Sequence, residues 1–319
     1  RGITMYPLFT RTLLTGCGLL LLSGCATPIA NFDAISLDAK RDAAMADESA
    51  SRTIQHAQSK IELGKSENLR FYAPRHLELA QKQLLEAQEM LTSGEPDGVV
   101  KTVAMTSLKT VEAGLNVKKD ILKQLKPTLD HRQVLKDIKA DQYFPADYLA
   151  IEEELVKLID LMEDHQTIKA DAGQKLLLAE MHRVEVATIE YIQLQPVKDH
   201  LERIKNKGGA SVAPISWDTA QKSLLQAQAL ISKTPRAKGA IAKATVAATK
   251  AAQHAEVITN LSNEILDASK DDAEAIALRM ERWLYRISVA LKHEDIRHLP
   301  LDQQAGEYAA SIEALMRNR

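Results

Sequence analysis

The sequence predicts an all-α fold, an elongated antiparallel helical bundle or coiled-coil-like array built from about three helix-pair repeats. Two observations carry this prediction. Ala, Leu, Gln, Glu and Lys, which favour helices, dominate the composition. In addition, helix pairs with the same apolar spacing recur along the chain, and no segment shows the alternation of apolar and polar residues that is typical of strands.

Composition also limits the class of protein. The 319 residues contain 41 Lys and Arg against 43 Asp and Glu, a formal charge of -2, so charge indicates neither nucleic acid nor another polyanion as a partner. Hydrophobic residues make up 45% and charged residues 26%, which is typical of a folded globular chain. Aromatics are only 4% and Gly totals 13, which disfavours aromatic cofactor pockets and Gly-rich phosphate loops.

The N-terminus has the layout of a secretory signal peptide, which we assign to residues 1–24. Arg11 precedes an apolar run of about ten residues, LLTGCGLLLL at 13–22. A membrane-crossing helix would need roughly 20 apolar residues. Met5 is a plausible initiator, because residue 1 is Arg.

At the end of this run, Leu22, Ser23 and Gly24 precede Cys25. This tetrapeptide resembles the lipobox of bacterial lipoproteins. The resemblance implies cleavage after Gly24, a diacylglycerol thioether on Cys25 and acylation of the new amino group, with residues 25–34 as the lipidated cysteine and a short tether. Two alternatives remain open. Lipid could be attached to Cys17, which follows Leu-Thr-Gly, or the apolar N-terminus could be uncleaved and contain an ordinary buried cysteine.

The same resemblance implies a location. In lipoproteins of Gram-negative bacteria, the absence of Asp after the acylated cysteine directs transfer to the outer membrane, and Ala26 stands there. We therefore expect a protein of the cell envelope, held by lipid and facing the periplasm. No disulfide is expected, because Cys17 would leave with the signal and lipid would occupy the sulfur of Cys25.

The first helix of the mature chain is predicted at 35–66. Small apolar residues stripe it at helical spacing, and Gly64 is placed to cap its C-terminus. The stripe comprises Ala43, Ala46, Ala50, Ala57 and Ile61.

An internal duplication organises the body. Residues 73–91 align without gaps to 213–231 at an offset of 140, with nine of nineteen identities that include a leading Ala-Pro. Pro at a first helical position has a physical reason, since its missing N–H would have no helical partner there. A weaker middle copy begins at Pro145. The predicted repeats are 67–140, 141–206 (divergent) and 207–270, each with a Pro-led short helix, a turn and a longer helix of about 30 residues.

The longer helices carry heptad seams, and two flanking faces are also apolar. The first seam comprises Lys101, Ala104, Leu108, Val111, Leu115, Lys118, Leu122 and Leu125, and its counterpart comprises Ile241, Ala244, Ala248, Ala251, Ala255, Ile258, Ser262 and Ile265. The middle copy has Leu155, Leu158, Ile159 and Met162, then Leu177, Val184, Ala187, Tyr191 and Leu194. The C-terminal helices, 271–319, begin with the stripe Ile276, Met280, Trp283, Ile287 and Ala290.

No motif in the sequence predicts catalysis, a metal or a cofactor, so we expect a non-enzymatic protein. His293 and His298 are five residues apart and lie on different helix faces, and the Asp295–His298 spacing lacks the partners of a di-iron bundle. An acidic cluster is interpreted as a solvated face: Glu152, Glu153, Glu154, Asp160, Glu163 and Asp164.

Aromatic residues are interpreted mainly as packing residues. Trp217 and Trp283 fit helix packing better than partner contact, which is the alternative. The pairs Phe71-Tyr72 and Tyr143-Phe144 precede Pro-led helices, where an apolar staple is expected.

With its lipobox and Ala-rich, Ala-Pro-led helices, the chain resembles a family of helical bacterial envelope lipoproteins, in some of which a comparable segment precedes an OmpA-like peptidoglycan-binding module. The resemblance implies a lipid-anchored periplasmic scaffold that binds another envelope protein or the cell wall. The alternative is a carrier of a small molecule or lipid in a cavity between helices.

Overall fold

The computed structural model describes residues 29–317 and confirms the all-α prediction: those residues form fourteen helices and no strand. The helices are α1 Phe32–Met45, α2 Ala50–Ser66, α3 Leu69–Tyr72, α4 Pro74–Thr92, α5 Asp97–Gln124, α6 Lys126–Asp137, α7 Ala140–Tyr143, α8 Pro145–Glu163, α9 Thr167–Asn206, α10 Gly209–Val212, α11 Pro214–Lys233, α12 Lys238–Asp267, α13 Ala273–Leu291 and α14 Leu301–Arg317.

The chain divides into two compact units. Unit 1 comprises the described residues up to His131 together with Ala150–Leu178. Unit 2 comprises Arg132–Leu149 together with the described residues from Ala179 onward. The predicted domain boundaries do not include this division.

The prediction of one N-terminal helix at 35–66 is wrong. Two helices, α1 and α2, lie there, and Ser49 begins the second by accepting a hydrogen bond from the Arg52 N–H. Gly64 is inside α2 and does not cap it. A Cβ at Gly64 would lie 3.0 Å from Leu69 Cδ1, so this glycine permits close packing.

A four-residue helix precedes each Pro-led helix, which the sequence did not indicate. These helices, α3, α7 and α10, each follow a residue with left-handed backbone: Asn68 at φ 60°, Lys139 at φ 58° and Gly208 at φ 82°. In each case the residue after the short helix returns a backbone hydrogen bond to its first residue. The Pro-led helices α4, α8 and α11 begin directly after that residue, and each begins with the proline itself.

Two of the three long helices have about the predicted 30 residues. Helix α5 has 28 residues and ends before Leu125, two residues ahead of Pro127, and α12 has 30 residues. Helix α9 is longer than predicted, with 40 residues that include Pro196.

The predicted seam of α5 is only partly right. Ala104 and Val111 are buried, but Leu122 is 42% exposed. The line that packs inward uses smaller side chains: Val100, Ala104, Ser107, Val111, Gly114, Val117 and Ile121. In α12, Ile241, Ala248 and Ala255 are buried as predicted and Ile265 is 47% exposed.

The middle copy and the core of unit 2 follow the prediction more closely. Leu155, Leu158, Ile159 and Met162 are buried, whereas Tyr191 is 47% exposed and contacts the rings of Tyr143 and Phe144. Trp217 packs against the core of unit 2, as predicted. That core comprises Leu194, Val197, Leu201, Ile204, Ala220, Leu224, Ala227, Ile231, Ile241, Ala248, Ala252 and Ala255.

The predicted packing face of α13 is only partly right, because Ile276 and Met280 are partly buried and the rest of the stripe is exposed. Trp283 is 50% exposed and Ile287 is 43% exposed. Helix α13 contacts α14 and buries Ser288, which lies on a different face from the predicted stripe. The Arg279 guanidinium lies 5.6 Å from the centre of the Trp283 ring, a cation–π contact.

Candidate functional site

The predicted lipidation site lies outside the described residues. Leu22, Ser23, Gly24 and Cys25 all precede residue 29, where the description begins. No helix in the described part of the chain combines the length and the apolarity that crossing a bilayer requires.

A concave site, a pocket of about 640 Å³, lies in unit 2. Four parts of the chain form it: the end of α6 with the turn into α7, the middle of α9, the turn between α11 and α12, and the first residues of α12. The lining residues are Val134, Asp137, Ile138, Lys139, Tyr143, Glu185, Ile189, Ile192, Gln193, Pro235, Arg236, Lys238, Ile241 and Ala242. Its volume is in the range of small-molecule sites, about 300–1,000 Å³.

The pocket has an apolar wall and a charged rim. Val134, Ile138, Ile189, Ile192 and Ile241 provide branched aliphatic surface from three helices and a turn. The cationic side chains at the rim are those of Lys139, Arg236 and Lys238. An apolar wall with a few convergent polar groups is the usual composition of a ligand site.

One ion pair fixes part of this rim. Arg236 Nε donates to Glu185 Oε1 at 2.7 Å, and Arg236 Nη2 donates to Glu185 Oε2 at 2.9 Å, a bidentate arrangement. The Glu185 side chain is 1% exposed and that of Arg236 is 59% exposed. The hydrogen bonds with Glu185 raise the pKa of Arg236, although burial opposes this. The pair also lines a second pocket of about 380 Å³ beside His182, so it stands between two concave surfaces.

In unit 1, the interpretation of the acidic cluster as a solvated face is wrong for Glu163. Its side chain is 0% exposed. Glu163 Oε1 lies 2.7 Å from His76 Nδ1 and accepts the His76 backbone N–H at 3.2 Å. Glu163 Oε2 accepts from Arg75 Nε at 3.2 Å. The carboxylate therefore lies at the N-terminus of α4, where the helix dipole favours negative charge.

Two neighbours extend this cluster. Arg75 Nη2 also donates to the Asp160 carbonyl oxygen at 2.9 Å and pairs with Asp164 at 2.9 Å. Burial lowers the pKa of Arg75, but the hydrogen bonds and charges of Asp164 and Glu163 outweigh it and raise that pKa overall. Burial raises the pKa of Asp160.

This cluster does not form a reactive site. A His–carboxylate pair can orient a base, but catalysis also needs access to substrate and a group to activate. The His76 side chain is 1% exposed, and the Glu163 carboxylate accepts a hydrogen bond from the backbone of α4. The geometry therefore fits a structural role, with Glu163 joining α8 to α4.

The C-terminal residues considered as metal ligands have other contacts. Asp295 binds Arg297 through both carboxylate oxygens, which lowers the pKa of Asp295 to about 2. His293 Nδ1 lies 3.0 Å from the Glu294 carbonyl oxygen. Within residues 29–317, no group of three or more His, Cys, Asp or Glu side chains is placed to hold a metal ion.

Sequence reasoning missed every residue of the pocket rim. Lys139, Glu185, Arg236 and Lys238 come from separate elements, and no local motif connects them. Compared with known proteins, the chain matches no family model, no curated protein and no solved structure.

Proposed function

We propose that the protein is a lipid-anchored, non-enzymatic helical scaffold of the cell envelope that binds another envelope protein or the cell wall. The observation that carries this proposal is the sequence Leu22-Ser23-Gly24-Cys25 after an apolar run of signal-peptide length. Acyl chains would hold the mature chain on a membrane, since each buried methylene contributes about 0.8 kcal/mol. Ala26 favours the outer membrane.

The anchor is tested by metabolic labelling with palmitate. Cys25→Ala is expected to abolish labelling and to release the body of the protein from the membrane fraction. Cys17→Ala is the matched control and should leave labelling unchanged. Labelling that is lost only in Cys17→Ala would assign the anchor to Cys17. An absence of labelling in the wild type and in both variants would refute lipidation.

The scaffold role is tested by crosslinking in intact cells and identification of the crosslinked species. We expect an envelope protein or cell-wall glycan to be recovered with the protein. Turnover of a substrate by the purified protein, or a stoichiometric cofactor in it, would contradict a scaffold.

We also infer that the body consists of three related segments. The short helices α3, α7 and α10, each after a left-handed residue and each before a Pro-led helix, support this inference at spacings that match Pro74, Pro145 and Pro214. Repeated helix pairs that stack on their neighbours commonly provide long side surfaces for partners.

The pocket of unit 2 favours a second candidate function, the transport or storage of a small molecule or lipid. Its volume of about 640 Å³ and its aliphatic wall suit a molecule with an apolar portion. Native mass spectrometry of protein purified from its source would show a co-purified molecule in this case. A protein with only the mass of its chain and covalent lipid in all preparations would count against the carrier.

A further inference from the structure

The chemistry of the unit 2 pocket indicates what kind of molecule it would hold. Ile138, Ile189, Ile192 and Ile241 line it with aliphatic surface, and Ile192 is 38% exposed. Contact with an apolar tail would remove this surface from water, which is favourable in proportion to the area covered. The wall thus suits an acyl chain or a similar aliphatic group.

Charge at the rim suits an anionic head. Arg236 is neutralised by Glu185, and the Asp137 carboxylate accepts a hydrogen bond from Gln133. Lys139 and Lys238 remain, and within residues 29–317 neither ammonium group makes a hydrogen bond or an ion pair. Because the charges of Arg236 and Glu185 cancel, the remaining charged groups of the rim are two lysines and one aspartate. The rim therefore has a net positive charge, although the chain is negative overall.

Lys139 occupies an unusual backbone position for its residue type. Its φ of 58° places it in the left-handed region, which Gly and Asn adopt far more easily than Lys. The equivalent turns of the other two segments have Asn68 and Gly208 at this position. Of these three turns, the one that lines the pocket is therefore the one with a strained lysine, and strained residues concentrate at binding sites.

From these observations we propose that the pocket binds an anionic amphiphile, with its tail along the isoleucine wall and its carboxylate or phosphate head at Lys139 and Lys238. This inference rests on the carrier function and names its ligand class. It does not depend on the lipid anchor at Cys25.

Three probes separate the contributions of tail and head. The chain from Ala26 to Arg319, which contains every described helix, is titrated by calorimetry with laurate below its micelle-forming concentration. Dodecanol has the same tail without the charge, and inorganic phosphate has a charge without the tail. We expect one laurate per chain, with dodecanol binding about tenfold more weakly and phosphate not measurably.

Variants of the two lysines test whether the ligand binds in the pocket. Lys139→Gly gives this turn the glycine that the equivalent turn has at Gly208. The variant therefore removes the charge and relieves the backbone strain. Lys238→Gln removes the second charge at the exposed start of α12. Each should weaken laurate binding about threefold to tenfold, and Lys139→Gly should unfold at the same temperature as the wild type or a higher one. Lys205→Gln, on an exposed part of α9 outside the pocket, is the matched control and should bind as the wild type does.

A fourth variant blocks the cavity. Ala242 is exposed at the pocket wall, so Ala242→Trp fills the space without entering the core and should abolish binding. Laurate binding that survives Ala242→Trp, equal binding of dodecanol and laurate, or no laurate binding would each overturn the proposal. If laurate fails while native mass spectrometry shows a co-purified neutral molecule, the ligand class is wrong and the carrier function stands.

Discussion

Glu163 performs the task that a capping side chain normally performs at the start of α4. Ala73 precedes that helix and has no side chain able to accept its first N–H groups. The carboxylate of Glu163, 87 residues away from His76 in sequence, accepts the backbone N–H of His76 and pairs with Arg75. A single buried carboxylate thus satisfies a helix end, a guanidinium and an imidazole.

Removal of this carboxylate should strongly destabilise unit 1. Glu163→Ala leaves the His76 backbone N–H and the buried His76 ring without their acceptor and removes one of the two carboxylates that pair with Arg75, which we expect to lower the free energy of unfolding by about 3–5 kcal/mol. Urea denaturation followed by circular dichroism measures this. Glu154→Ala is the matched control on the same helix. Glu154 is 55% exposed and pairs with Lys157, so its loss should cost less than about 1 kcal/mol. Equal effects of the two variants would contradict the capping role.

The sequence could not reveal this role of Glu163. Glu163 stands with other acidic residues, and such a pattern usually marks a solvated face. Its burial depends on Arg75 and His76, which lie on another helix and give no sign of a distant acceptor. The predicted solvated face is nevertheless right for Glu153 and Glu154, which are exposed.

Among the helices, α5 packs closely because of one glycine. A Cβ at Gly114 would lie 2.9 Å from His76 Cβ and 3.3 Å from Leu69 Cδ1. We expect Gly114→Ala to lower the free energy of unfolding by about 1–3 kcal/mol, since the neighbours would have to move. Gly98→Ala in the same helix is the control. No atom lies within 4 Å of its added methyl, so it should be neutral or stabilising by up to about 1 kcal/mol. Thermal unfolding of the two variants provides the comparison.

The docking of α1 on α5 depends on small contacts and on charge. Its buried residues are Ala39 and Ala43, which pack with Met105. Lys109 Nζ lies 2.7 Å from Asp42 Oδ2. The hydrogen bond from Lys109 is the largest effect on the pKa of Asp42 and lowers it from 3.8.

This shift predicts an acid-sensitive helix. Because the folded pKa of Asp42 is below its unfolded value, the contact with Lys109 stabilises α1 fully above the unfolded pKa of 3.8 and is lost as pH falls through the lower folded pKa. Hydrogen exchange should therefore show α1 losing protection in this acid range before α2 does. Lys109→Gln should have lost this part of the protection already at neutral pH, whereas Lys40→Gln, exposed on α1, should behave as the wild type. A wild-type α1 whose protection does not change with acid would contradict the prediction.

Helix existence was predictable and helix ends were less so. Prolines 74, 145 and 214 mark three helix starts correctly, because a proline lacks the N–H that a first turn leaves unpaired. The four-residue helices before them were not predictable, because Lys139 gives no signal of left-handed backbone, unlike Gly208. The interruption between α1 and α2 was hidden by alanines that continue the apolar spacing across it.

For the whole molecule, composition was sufficient for fold class and insufficient for arrangement. A chain rich in Ala, Leu, Gln, Glu and Lys without strand patterns has few folds other than helical ones. Which faces pack depends on small residues such as Ser107 and Gly114, which an apolar pattern does not identify. The division into two units depends on which helices contact one another, and composition does not specify this.

The two candidate sites also differ in whether the sequence could predict them. The lipid site proposed at Cys25 depends on consecutive residues, so the sequence alone could suggest it. The pocket is lined by Lys139, Glu185 and Lys238, which come from three separate parts of the chain. Only the folded structure could therefore reveal it.

Gly114 also has a mechanical consequence. The residues one helical turn away on the same buried line of α5 are Val111 and Val117, and a branched side chain does not fit where His76 leaves no room for even one methyl. A slide of α5 by one turn along α3 and α4 would place a valine against His76 and is therefore disfavoured. We therefore expect Gly114 to fix the axial position of α5 against those two helices.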